Sequence, residues 1–405
     1  MLENLIERFY EAASMNRWND HIRPVELTEL DKQAHKMVIA YVIAKFEESD
    51  RDIKINWQNL IEGGIFEFLH RTILTDIKPP VFHKMMEEKE KDLNKYVIKQ
   101  LDKDMNGLGN NFKENFKKYF FDHNYAKVEK RILKAAHYMA TNWEFKIIYH
   151  TSPFIYGIEE TKESIENQIE DHYDLIGVQK ISLEKKSFGF IDLCGQLRFQ
   201  ERWAHSPRIP KTSVLGHMYI VAITSYLLSL DNNSCQKRLY NNFFTGLFHD
   251  LPEVLTKDII SPIKTSIKGL EGIIKDYEED QMKNRLLPLL PVSWRKEMRY
   301  FTQDEFENKI KIDGKIIKGV SYSELNNLYN KDEFYPLDGK IIKACDKLTA
   351  FIEADLSIKH GITSKHLEEG RKNIYEKFKD KNVSGIDFGK LFNYFKDRSF
   401  KIDDF

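Results

Sequence analysis

Leu247-Phe-His-Asp-Leu-Pro-Glu-Val-Leu-Thr-Lys-Asp-Ile-Ile-Ser-Pro-Ile-Lys264 decides how this 405-residue chain is read. An apolar run (Phe243, Phe244, Leu247, Phe248) leads into the adjacent pair His249-Asp250, and Glu253 follows one turn later. Neighbouring side chains on a helix diverge by about 100°, so His249 and Asp250 share a target only where the helix ends against a crowded core. There they would offer an imidazole and a carboxylate to one metal ion. Such an ion needs at least one more histidine and one more carboxylate. His217 and Asp346, on either side of the stretch, are the candidates.

Composition narrows the possibilities. Lys and Arg number 62 against 63 Asp and Glu, for a formal net charge of −1. That balance makes no electrostatic case for a nucleic-acid coat or an anionic membrane surface, although local basic pockets remain compatible with it. With 41% hydrophobic residues the chain has material for real cores. Cys194, Cys235 and Cys345 form no CxxC and no even framework, and read as reduced thiols of a cytoplasmic protein. The acidic, amphipathic start is not that of a signal peptide. No apolar run approaches the roughly 20 residues of a membrane span.

Helical periodicity dominates elsewhere. Apolar residues recur at three- and four-residue spacing over 1–15, 27–48, 56–70, 81–103 and 125–148. They do so again at about 212–230, 237–250, 266–288 and 337–358. Residues 105–111, rich in Gly and Asn, predict a loop. The charged stretch 161–186 predicts an acidic helix or linker. Residues 306–320 alternate apolar and polar around Asp313-Gly314, which predicts a β-hairpin. Residues 365–405 read as an amphipathic helical tail.

Landmarks then recur in order. Arg17-Trp18 returns as Arg202-Trp203, each followed by a loop with Arg and Pro (Arg23-Pro24; Arg208-Ile209-Pro210). Each loop enters a helix with His before Met, at His35 and His217. The next helix ends in His70 or His249. Arg131-Ile-Leu-Lys-Ala-Ala-His137 matches Lys340-Ile-Ile-Lys-Ala-Cys-Asp346. The expectation is an all-α protein of two tandem copies, with the hairpin inserted in the second. The copies cover 1–155 and 195–362, with a linker over 156–194 and a tail over 363–405. The first copy has Arg71 where the second has Asp250, and His137 where it has Asp346. A fixed cation in place of a ligand carboxylate predicts that the first copy binds metal poorly or not at all.

The pattern His217…His249-Asp250…Asp346 resembles the HD-domain metal-dependent phosphohydrolases. His249-Asp-Leu-Pro-Glu253-Val-Leu-Thr-Lys-Asp258, with Arg202-Trp203, looks more narrowly like the YfbR-like 5′-deoxynucleotidase branch. The first ligand stands here in Gly216-His217-Met218 rather than the branch's common Glu-His-Ser. The resemblance covers roughly 195–360. It implies an all-α HD fold and one divalent ion (Mn, Co, Fe, Ni, Zn or Mg) held by His217, His249, Asp250 and Asp346. Glu253 would then be the acid/base, Asp258 would touch the sugar, and Arg202 and Trp203 would hold phosphate and nucleotide. The implied partner is a small nucleotide, with no strong case for nucleic acid or membrane. Members of the branch often pair as homodimers, and a fused duplicate would provide that pairing within one chain, with further self-association open.

The residues make the same chemical case. Two imidazoles and two carboxylates leave positions on an ion for water and a phosphoryl oxygen. Glu253 is placed to exchange protons with that water, and Arg202 to take a phosphate bidentately. Singly, each has an ordinary reading. His217 would be a core histidine, Asp250 a helix-end hydrogen bond, Asp258 a turn cap and Arg202-Trp203 a cation–π pair. Asp346 in an apolar helix demands a partner. As an ordered set they favour the phosphohydrolase. A nucleotide sensor without turnover, and hydrolysis of nucleoside triphosphates or signalling nucleotides, are the alternatives.

Overall fold

The computed structural model describes residues 2–75, 77–109, 111–257 and 269–398. Its architecture is all-α, with only small two-stranded sheets. Contacts divide the chain into two units, Met1–Gly195 and Gln196–Phe405.

The first unit is built from α1 (Leu2–Glu11), α2 (Glu29–Arg51), α3 (Trp57–Leu74), α4 (Pro79–Leu101), α5 (Phe112–Phe121), α6 (Lys127–Thr151), α7 (Ile158–Glu170), α8 (Ile176–Ser182) and α9 (Lys186–Gln196). Its central helix, α2, starts at Thr28, whose side chain accepts from the Asp31 N–H, a cap that favours nucleation there. The linker expected over 156–194 is instead packed helix. Ile158, Ile165 and Ile169 of α7 and Val178 and Ile181 of α8 are buried. Gly177 opens the way for α8, since a Cβ there would stand 2.6 Å from Ile43 Cα on α2. The polar faces that suggested a linker are the solvated sides of amphipathic helices.

In the second unit α10 (Val214–Asp231) and α11 (Gln236–Phe248) are followed by α12 (Leu270–Gln281), α13 (Val292–Thr302), β1 (Lys309–Ile312), β2 (Lys315–Lys318), α14 (Tyr322–Asn327) and α15 (Gly339–Lys359). Then come α16 (Lys365–Phe378), the short pair β3 (Asn382–Val383) and β4 (Ile386–Asp387), and α17 (Phe388–Asp397). α10 has the length and apolarity of a membrane-crossing helix, but 94% of it lies buried inside the protein. It is the core helix against which α11 and α15 pack. The hairpin forms at the expected place, pairing Ile312 with Lys315. Asp313 (φ 49°) and Gly314 (φ 75°) supply the two positive-φ residues that such a tight turn requires. The expected tail is part of the unit, where Arg371 of α16 pairs with buried Asp355 of α15 at 2.6 Å.

Candidate metal centre

Close packing of α10 on α11 creates the site. A Cβ on Gly246 would lie 2.7 Å from the Ala222 Cα, so the helices meet backbone to backbone only because that residue is glycine. This approach brings the His217 and His249 rings to 5.7 Å between centroids. α11 ends at Phe248, His249 keeps helical angles, and Asp250 (φ −96°, ψ 14°) leaves them. Pro252 lies in the tight turn Leu251–Leu255 that follows, where a residue without an N–H cannot continue the helix. The break between His249 and Asp250 removes the helical divergence of adjacent side chains. One ligand atom from each of His217, His249 and Asp250 lies within 4.8 Å of the others.

His217 is held through both ring nitrogens and His249 through one. His217 Nδ1 is 3.2 Å from Glu353 Oε1, and its Nε2 is 3.1 Å from Asp346 Oδ1 on α15. The second Asp346 oxygen pairs with Lys347 Nζ at 3.0 Å. His249 Nδ1 donates to the Gly246 carbonyl at 2.8 Å. Its Nε2 is buried without a hydrogen bond, lying 3.2 Å from Asp250 Oδ2 but off the line of one. A buried, unsatisfied ring nitrogen beside a carboxylate is the donor pair a transition-metal ion takes up. Electrostatics agree. Burial opposes charging of His249, yet the Asp250 carboxylate carries it up to about 9. Against the same burial, His249 and Arg202 hold Asp250 well below the usual carboxylate range. Asp346 is likewise held down against burial, first by Lys347 and then by His217.

Comparison with known proteins gives this arrangement its place. Residues 194–375 match the HD domain family. Over that stretch the chain is similar to HD domains. A stretch of 109 residues is 30% identical to 4′-phosphooxetanocin A phosphatase of Priestia megaterium, over 25% of this chain and 54% of that protein. The chain thus spans about half the length of this curated relative. HD domains bind divalent metals, and His217, His249 and Asp250 can hold one.

The second unit draws several other expected residues together. Arg202 lies with Nε 3.6 Å from Glu353 and NH1 4.0 Å from Asp250. Trp203 donates its indole N–H to Glu353 Oε2 at 3.0 Å, and its ring packs where a Cβ on Gly370 would be. Its indole N–H is thus turned inward onto a buried carboxylate. Glu253 is buried and lines, with His249, Asp250 and Phe306, a cavity of 870 Å³. Asp258 lies outside the described residues. Sequence reasoning missed Glu353, which also accepts from Thr212 Oγ1 at 3.0 Å. Burial raises its pKa, but His217 and Arg202 bring it down to about 2. The signal was present, since Glu353 follows Asp346 by the same seven residues that separate Glu144 from His137.

The first unit repeats the loop but not the ligands. The Arg17 N–H donates to the Leu27 carbonyl, and the Arg202 N–H to that of Thr212. Arg23 donates to the Arg17 carbonyl, and Arg208 to that of Arg202. Trp18 and Trp203 both adopt positive φ. Arg17 and Trp18 both donate to Glu144. Counted from the capping residues Thr28 and Ser213, the residue in the register of His217 is Lys32, which corrects the pairing of His35 with His217. Lys32 Nζ contacts His137 Nδ1. His35 instead meets the Ile191 carbonyl at 3.0 Å, and His70 meets Asn94 at 3.0 Å. These three histidines have separate partners.

Proposed function

We propose that this chain removes the phosphate from nucleoside 5′-monophosphates or related nucleotides, and that its first unit is a degenerate copy of the HD domain. The carrying observation is the buried His249 Nε2 without a hydrogen bond, set against Asp250 and facing His217. Glu353 on His217 Nδ1 favours the tautomer whose Nε2 can bind metal. Asp346 would complete the set by giving up its contact with His217 Nε2.

A bound divalent ion would supply an acidified water and neutralise charge on a phosphoryl group. The remaining work falls to the chain's own residues. Arg202 and Lys347, both beside the carboxylates of the site, orient the phosphoryl oxygens. Glu253, on the cavity wall one turn from Asp250, takes the proton of the attacking water and returns one to the leaving oxygen. The cavity is large enough for a nucleoside. The shared loop geometry and the matched positions of Glu144 and Glu353 support the duplicate reading.

The test is phosphate release from nucleoside mono- and triphosphates by metal-stripped protein resupplied with Mn, Co, Mg, Ni or Zn, alongside Asp250→Ala. Metal-dependent release from monophosphates, absent in the variant, is expected. Silence across the panel by metal-loaded protein would refute the nucleotidase. Nucleotide-dependent thermal stabilisation without turnover would replace it with a sensor.

A further inference from the structure

The stretch that the sequence presents as a linker builds a cavity. Helices α7, α8 and α9 pack on α2 and α6 around a space of 310 Å³, wholly inside the first unit. Each helix gives the wall an apolar side chain: Ile39 from α2, Trp143 from α6, Ile169 from α7, Ile181 from α8 and Ile191 from α9. All five are buried. Trp143 is fixed in place, because its indole N–H donates to Asp192 at 2.8 Å and its ring meets that of His35 edge-on at 5.0 Å between centroids. A cavity of about 300 Å³ or more, with apolar walls and a few polar groups, is the usual form of a small-molecule site.

The polar groups on this wall decide what fits. Asn142 on α6 and Ser182 at the end of α8 are half-buried, and neither side chain has a hydrogen-bond partner among the described residues. A carboxamide offers donors and an acceptor side by side, and a hydroxyl offers one of each kind. Among the described residues Lys146 is the one cation on the wall, and it is taken. It pairs with Glu184 and lies 5.2 Å over the Phe188 ring. Glu166 adds a second carboxylate. One cation against two carboxylates leaves the wall repelling a phosphate, and a zwitterion finds no free cation for its own carboxylate.

We propose that this cavity binds a small, neutral heteroaromatic ring whose edge carries a donor beside an acceptor, as the lactam edge of a free pyrimidine or purine base does. The ring packs on Trp143 and the isoleucines, and its edge pairs with the Asn142 carboxamide through two antiparallel hydrogen bonds. Ser182 takes one further polar group of the ring. The site uses neither the metal nor any residue of the second unit, and it stands apart from the phosphohydrolase reading.

The experiment titrates the full chain, treated with chelator, calorimetrically with uracil, with hypoxanthine and with indole, which has the ring but not the paired edge. Saturable binding of one equivalent is expected for at least one of the two bases, with indole weaker by about tenfold or more. Asn142→Leu should weaken the base by about tenfold or more and bring indole level with it. Ser182→Trp, which fills the space, should abolish both. Phe306→Ala, on the cavity wall of the second unit, should change neither. Asn142 is half-buried on a helix, so its variant decides the matter even if Ser182→Trp does not fold. No saturation by either base up to about 2 mM, indole binding as tightly as the base, base binding that survives Asn142→Leu, or binding lost in Phe306→Ala would each overturn the site. Turnover plays no part in these readouts, so failure of the phosphohydrolase reading would leave them intact.

Discussion

Replacing Glu353 by Gln should damage both the fold and the metal centre without touching a ligand. The side chain is fully buried and takes His217 Nδ1 at 3.2 Å, Trp203 Nε1 at 3.0 Å and Thr212 Oγ1 at 3.0 Å, with Arg202 Nε at 3.6 Å. Its carboxyl stands at about 2 against an ordinary 4.5. A depression of that size corresponds to about 3 kcal/mol favouring the charged form in the folded protein. The folded-state value is lowered, so this stability is fully present above the unfolded value and is lost as pH falls through about 2. Gln keeps the shape and accepting oxygen but not the charge. Urea unfolding of metal-free protein at pH 7 should show a loss of about 2–3 kcal/mol, shrinking below the ordinary carboxyl range. Loss of the anionic partner of His217 should also weaken metal binding by about 10- to 100-fold, read by competition with a chelating dye. A variant within about 0.5 kcal/mol of the parent, with unchanged metal affinity, would refute the assignment of Glu353 as the positioning residue.

Three further outcomes are expected. Asp250→Ala should lose metal and activity together, by elemental analysis and phosphate release, and a metal-replete, active variant would remove Asp250 from the ligand set. Glu253→Ala should keep its metal and lose turnover by about 100- to 10,000-fold, so near-normal turnover would exclude it from proton transfer. Metal must displace the proton that Asp250 holds on His249, so affinity should rise by about tenfold per pH unit toward the His249 value of about 9 and then level off. In metal-free protein the same raised value stabilises below the ordinary histidine range and is lost as pH rises through about 9. An affinity flat between pH 6 and 9 would mean that His249 is neutral before metal arrives.

Much of this was legible in the sequence, for identifiable reasons. His249-Asp250 stood at the end of an apolar run, and the helix does break between them. Asp346 in an apolar helix called for a partner and has two, His217 and Lys347. Asp313-Gly314 specified its turn because few residue pairs accept two positive φ angles. Glu353 escaped because a glutamate on a long helix reads as a solvated face, and only the packing of the Arg202 loop makes it interior. His35 was matched to His217 by residue type, whereas the caps at Thr28 and Ser213 set the true register at Lys32. The role of Gly246 was not visible either, because a close approach of two helices belongs to neither helix alone.

The burial of α10 on every side also has a kinetic meaning. His217 cannot leave its position by local fraying, since every residue from Val214 to Leu230 is buried. Amide hydrogens along this helix should therefore be among the slowest in the second unit to exchange with deuterium, with or without metal. Metal capture should be visible instead in the exchange of the turn at 250–257 and of the Arg202 loop. The ion would then come and go through its movable carboxylates, while the imidazole from α10 waits in place as a fixed post.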